Sequence, residues 1–322
     1  MFQTQRYELA IVNPDGTGFR KLTRTLRQLG RPKWSPNGQW VVFERLGRVW
    51  VIGADGRQLR EVARGVWPAW APDSRRLVFV DQAGSTDPAG EGWLRWGRIT
   101  VLNLATGRRT VIGRGTMPAW SPDGKRVAFV RYSFRPEGRS RVANHSALFT
   151  VALDGSDSRT LYSGFEELVP GSDWVVLYRP SWSPDSRTVA AYGEEPNEGR
   201  NALVLLTDAS SGTVRTLVPD VPASFSEVAW SPDGSKLAFI ARGPSISRDF
   251  VETVDIVTEA RKRLTHSYRG SLDWSRDGRE IAFARCANIS PLCDLHTAAV
   301  VDGRTRRIRP VEVTGWDSFD WE

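Results

Sequence analysis

Gly92-Trp93-Leu94-Arg95-Trp96 sets two indoles and a guanidinium within five residues, and Trp174 stands alone in a second polar stretch. Arg135, Arg139 and Arg141 form a basic trio between them. Such side chains do recognition chemistry: they bury large apolar area, stack on flat groups, and donate charge-assisted hydrogen bonds. They are the candidate partner-binding residues, with a protein or peptide as the expected partner. The alternative is that these aromatics only pin their own loops to the body of the protein.

Bond-making chemistry has less to work with. The chain has no Gly-x-Ser-x-Gly, no His-Glu-x-x-His and no glycine-rich phosphate loop. Its three histidines, His145, His266 and His296, are far apart in sequence. No catalytic residue, metal ligand or cofactor is therefore expected, although scattered Asp, Glu and Arg around a central channel would be an alternative route to an enzyme. Lys+Arg number 44 against 37 Asp+Glu, a formal charge of +7. The basic residues are dispersed, as in Arg108-Arg109, Arg261-Lys262-Arg263 and Arg304 to Arg309. That dispersal reads as solvated Arg on outer strands rather than a nucleic-acid surface.

The two cysteines carry one more reading. Cys286 ends an apolar run and Cys293 opens the approach to the next. A short hairpin would bring their Cα atoms within the ~4.4–6.8 Å that a disulfide needs. A bridge would mean an oxidising compartment; two free thiols at a sheet end are the alternative. Met1 to Arg6 lacks the pattern of a signal peptide, and no run approaches the ~18 apolar residues of a membrane span.

What must position these residues is a repeat. Trp34, Trp70, Trp120, Trp182, Trp230 and Trp274 each open a unit of the type Trp-Ser-Pro-Asp-Gly, and Trp321 holds the same place near the end. Nine residues after the first, second, third, fifth and sixth stand Phe43, Phe79, Phe129, Phe239 and Phe283; the fourth unit has Ala191. These runs are rich in β-branched and aromatic residues and bounded by turns, so they predict strands. Two more strands follow in each unit, separated by turns such as Asp55-Gly56, Thr106-Gly107 and Asp154-Gly155. The four are called a to d. In Ser121-Pro122-Asp123-Gly124, Pro presets φ, Asp and Ser bond to nearby backbone, and Gly accepts the exit conformation, which predicts a tight a–b turn.

Four-stranded units of ~40–50 residues in series predict a β-propeller. The fold class is all-β, with residues 1–322 forming a single domain of seven four-stranded blades, six being the alternative count. The seventh would pair Ser318 to Trp321 with the strand at Phe2, closing the ring and removing open sheet edges. The motif Trp and Phe residues, with Trp40, Trp50, Trp67 and Trp316, are expected in the core.

The Trp-Ser-Pro-Asp-Gly units, each with its Ala-Phe strand, Asp-Gly turn and Leu-Thr strand, resemble the TolB-type propeller repeat, which is WD-repeat-like. The resemblance covers essentially the whole chain. It implies relatives in a periplasmic envelope system and in the propellers of prolyl-oligopeptidase-type peptidases, whose additional domains are not evident in these 322 residues. With the cysteine hairpin, it tips the expected location toward extracytoplasmic, periplasmic or secreted; a natural start at Met1 would reverse that to cytoplasmic.

Length variation falls at Gln82 to Gly97, Tyr132 to Ser146, Gly164 to Arg179, Gly193 to Asn201 and Arg242 to Asp249. All are b–c or d–a connections, hence on one face. The expected function is a non-catalytic scaffold that binds a protein, peptide or envelope component through that face. An enzyme acting on a peptide or glycan in the channel, as peptidase or lyase, and a ligand-sensing accessory subunit are the alternatives.

Overall fold

A computed structural model describes residues 6–24, 26–27, 29–82, 96–137, 140–163, 176–194, 202–221, 228–241, 249–267, 271–286, 292–314 and 320–321. Every regular element among them is a strand. The chain divides into two compact units: Met1–Arg64 with Phe225–Val254 and Ala260–Glu322, and Gly65–Ser224 with Asp255–Glu259.

The first unit contains three four-stranded antiparallel meanders. They run Leu29–Trp34, Trp40–Arg45, Arg48–Gly53, Arg60–Arg64; then Ala229–Trp230, Lys236–Ala241, Asp249–Asp255, Arg261–Ser267; then Leu272–Trp274, Glu280–Cys286, Leu292–Ala299, Thr305–Thr314. Two short pairs precede them, Arg6–Tyr7 with Leu26–Arg27 and Ala10–Ile11 with Arg20–Lys21. The second pair is a hairpin around Asp15-Gly16, whereas the expected strand at Phe2 and its partner Ser318 lie outside the described residues.

The second unit holds the meander Val176–Trp182, Thr188–Glu194, Ala202–Asp208, Val214–Val221 and a seven-stranded sheet from Val66–Trp70 to Arg159–Tyr162. The seven strands are two meanders that share one strand. Arg109–Trp120 pairs through Arg109 to Gly115 with Gly97–Asn103, and through Thr116 to Trp120 with Arg126–Glu137. Glycine makes the handover possible, because a Cβ on Gly115 would lie 2.5 Å from the Val130 carbonyl oxygen and 2.6 Å from the Phe129 ring.

One expected loop is a ladder instead. Tyr132 to Ser146 continues the pairing of Arg126–Glu137 with Ser140–Ala152 as far as Glu137 opposite Ser140. Residues such as Tyr132, Phe134 and Val142 suit a pleated ribbon, and the turn is two residues, so the insertion extends two strands rather than looping out.

Phe43, Phe79, Phe129, Phe239 and Phe283 are fully buried, each contributing ~1.5–3 kcal/mol by transfer from water. Trp70, Trp120, Trp182 and Trp274 are buried; Trp34, Trp230 and Trp321 are half-buried. The a–b turns form as their residues require. Ser121 Oγ donates to Asp123 Oδ1 at 2.6 Å and accepts the Arg126 N–H at 2.9 Å, while Asp123 Oδ1 accepts the Lys125 N–H at 3.0 Å. Gly124 takes φ 70°. Ser183 with Asp185, Ser231 with Asp233 and Ser275 with Asp277 repeat the serine–carboxylate bond. Ala71 has no hydroxyl to offer, and there Asp73 accepts both the Arg75 and Arg76 N–H groups.

Candidate binding face

Four of the a strands carry Pro two residues before their Trp: Pro32, Pro68, Pro118 and Pro180. Proline has no N–H to give to the ladder, so a central position in a strand costs a hydrogen bond unless the strand bulges. All four bulge. The register jumps between Gly30 and Lys33, Val66 and Ala69, Thr116 and Ala119, and Tyr178 and Ser181, so that two residues face one on the b strand. The first residue of each bulge, Arg31, Trp67, Met117 or Arg179, has φ between 46° and 56°. The strand Leu272–Trp274 has no proline and stays in register.

A bulge re-aims its side chain. In the first unit Arg31 Nη1 turns to both oxygens of Glu44 at 3.1 Å. In the second unit three bulge residues meet. The Arg179 guanidinium lies 5.5 Å from the Trp67 ring centre, and the Arg179 N–H points at the Met117 sulfur at 3.4 Å. Beneath them Tyr132 donates its hydroxyl to the Leu177 carbonyl at 2.7 Å; its ring lies 6.4 Å from that of Tyr178, which in turn lies 6.3 Å from Tyr192, in a tilted series. Burial, reinforced by Tyr178, raises the Tyr132 pKa above its ordinary value. Trp67 and Arg179 are half-buried.

The position of this cluster follows from the turns. Within the second unit the a–b turns lie side by side: Asp123 N–H donates to Ser186 Oγ at 3.0 Å, and a methyl on Gly124 would touch Pro72 at 3.8 Å. Trp182 Nε1–H donates to the Ala119 carbonyl at 3.2 Å, locking neighbouring a strands in the same order. The opposite ends of these strands hold Trp67, Met117 and Arg179, and from those ends leave the connections at 82–97, 164–175 and 195–201 and the long hairpin.

Of the sequence-derived candidates, Trp96 is half-buried beside Gly97, whose missing Cβ leaves room for the Asp81 carbonyl oxygen that would stand 2.4 Å away. Arg98 then pairs with Asp81 at 2.9 Å. Arg135 stands opposite Val142 and Arg141 opposite Pro136, on neighbouring rungs of the hairpin and not as a pair. Trp93, Arg95, Arg139 and Trp174 lie outside the described residues. Cys286 and Cys293 are direct cross-strand partners in the backbone register. Sequence reasoning consigned Trp67 to the core and passed over Arg179; the recurring x-Pro-x-Trp was the signal. Among the described residues no three His, Cys, Asp or Glu side chains converge as metal ligands.

No family model matches the chain, and no curated protein matches it in sequence. Solved structures do match. TolB from Acinetobacter baumannii is 22% identical with a TM-score of 0.52, over 87% of this chain and 62% of that one, so the chain spans under two thirds of its length. Oligogalacturonate lyase in complex with manganese is 16% identical with a TM-score of 0.64, over 95% of this chain and 86% of that one. A putative TolB from Agrobacterium tumefaciens is 15% identical with a TM-score of 0.56, over 97% and 94%. Likenesses at this identity speak for architecture, and the architecture of this chain is that of a TolB-like β-propeller built from four-stranded antiparallel sheets.

Proposed function

We propose that residues 1–322 form one seven-bladed propeller, closed by the chain ends, that works as a non-catalytic scaffold binding a protein, peptide or envelope component. The proposed binding face is the end carrying the long b–c and d–a connections, and its candidate contact residues are Trp93, Arg95, Trp96, Arg135, Arg139, Arg141 and Trp174 together with the Trp67–Arg179 stack. The observation that carries this reading is the stack itself: an Arg and a Trp, each re-aimed by a bulge, set at the end from which the second unit's insertions leave. A rigid platform bearing aromatic and Arg side chains beneath variable segments suits partner recognition. Closure is supported by residue 320, whose carboxylate accepts the Trp34 N–H at 2.7 Å across nearly the whole sequence.

The test is co-purification from the source cell with the parent and with Trp67→Ala, Arg179→Ala and Lys125→Ala, the last lying in an a–b turn at the other end. The reading expects one partner to be lost with the first two and kept with the third. The likeness to a lyase favours a second reading, an enzyme acting on a glycan. Turnover of oligogalacturonate with added manganese by the purified protein would replace the first reading with the second.

A further inference from the structure

Near the end of the chain, residues 320–321 are held by two carboxylates and one ammonium. Asp320 Oδ1 accepts from Lys33 Nζ at 2.9 Å and Asp320 Oδ2 from the Trp34 N–H at 2.7 Å. Asp273 Oδ2 accepts the Trp321 N–H at 3.1 Å, and its Oδ1 accepts the Trp274 N–H at 2.9 Å. The dipeptide is thus tied on one side to the strand Leu29–Trp34 and on the other to Leu272–Trp274, all within one compact unit.

The charge count does not balance. Two carboxylates, Asp273 and Asp320, hold this dipeptide, and among the described contacts one ammonium, Lys33, answers them. Lys33 also lies partly in solvent, with 40% of its side chain exposed, while the Asp320 side chain is 16% exposed. One bound proton would make the cluster neutral without removing a single hydrogen bond, because each Asp273 oxygen keeps a second lone pair. We propose that Asp273, Asp320 and Lys33 form a latch on the C-terminal residues that tightens on proton uptake and loosens when the proton leaves.

Proton affinity agrees with the geometry. The protein packed around the Asp273 carboxyl, followed by the Asp320 charge, pushes its pKa up from 3.8 to about 7, against the pull of Lys33 and the two N–H donors. Solvent still reaches part of the Asp273 residue, which moderates the rise and leaves its direction unchanged. The sign follows: the folded protein holds a proton that the unfolded chain releases near 3.8, so the stabilisation is complete below that pH and fades as pH rises toward 7. The latch depends only on these contacts and would stand with either six or seven blades.

The test is amide hydrogen exchange of the C-terminal peptide at pH 5 and pH 8.5, divided by the intrinsic rate at each pH. Protection should be up to about a hundredfold greater at pH 5, which lies two units below the raised value of about 7, and smaller to the extent that solvent moderates the rise, since each unit is a factor of ten. Asp273→Asn should give equal protection at both, and Lys33→Met should move the transition to higher pH. Equal or weaker protection of the parent at pH 5, or an unchanged pH dependence in Asp273→Asn, overturns the proposal. Should Asp273→Asn not fold, carbon-13 carboxyl resonances of the parent decide: the Asp273 signal must titrate above 3.8, the ordinary value, and a midpoint at or below it sinks the latch.

Discussion

Arg179 lies over the ring of Trp67, 5.5 Å from its centre, and both residues open an x-Pro bulge. They belong to a strands of different sheets, with Met117 of the intervening a strand bonded beside them. An Arg already stacked on an indole presents a pre-ordered guanidinium edge, which lowers the entropy lost on binding a partner.

Cutting an aromatic or Arg anchor to Ala commonly costs ~2 kcal/mol or more at an interface, about thirtyfold in Kd. Trp67→Ala and Arg179→Ala should therefore weaken partner binding by that order, and Trp96→Ala should do so if its rim contributes. Lys125→Ala should leave affinity unchanged, because its side chain is 79% exposed in an a–b turn. A titration in which Lys125→Ala loses most would place the working face at the wrong end.

Removing Ser318 to Glu322 should lower thermal stability. The deletion strips Lys33 and the Trp34 N–H of their carboxylate and the Asp273 carboxylate of a donor. The half-buried Trp34 N–H left without its acceptor would account for ~1–3 kcal/mol, whereas Lys33, with 40% of its side chain exposed, adds little. A truncated protein with the parent's Tm would end the closing role assigned to this segment.

Two glycines should respond differently to Ala. Gly65 has φ 147°, and its Cβ would stand 2.4 Å from the Val80 carbonyl oxygen and 2.7 Å from the Phe79 ring. Gly107 has φ 70° with nothing within 4 Å. Gly107→Ala should cost ~1–2 kcal/mol from the backbone alone, and Gly65→Ala more than ~3 kcal/mol. Comparable urea midpoints for both variants would contradict the packing at Gly65.

At low pH the turns should fail in the opposite sense to the latch. The Ser210 hydroxyl, then the Ser211 and Ser210 N–H groups, hold the Asp208 pKa down at about 2, and Ser183 and Ser231 lower Asp185 and Asp233 in the same way. Their folded pKa values lie below 3.8, so their stabilisation is present above that pH and is lost as pH falls toward 2. Each sits in solvent and contributes little alone. Calorimetry should show Tm falling between pH 4 and 2, with a shallower fall in Asp208→Asn; an identical slope would remove Asp208 from the account.

The backbone register opposes Cys286 to Cys293, and we expect a disulfide between them. Unreduced mass spectrometry of protein from its native compartment should show a two-proton deficit in the peptides that carry them. Two alkylatable thiols would remove the case for an oxidising environment.

The turns were legible in sequence because their hydrogen bonds are local: Ser121 and Asp123 satisfy groups within five residues. The buried Phe positions were legible because one residue type recurs at one spacing. The hairpin to Glu137 and Ser140 was not, since its charged residues mask a period of two. Nor was the Trp67–Arg179 stack, because a proline inside a strand ordinarily argues against the strand, and the meeting depends on how sheets lie against one another. Trp93, Arg95, Arg139 and Trp174 could be read only as residue types in insertions.

The shared strand Arg109–Trp120 leaves no slack between its two sheets. Where a loop joins neighbours, a deletion or insertion is absorbed as spare chain. Here one added residue between Arg114 and Thr116 must either buckle outward or shift every downstream side chain to the reverse side. Across this junction the two sheets therefore behave like adjoining teeth of one gear: drift in chain length is forbidden, and sequence change must proceed by substitution.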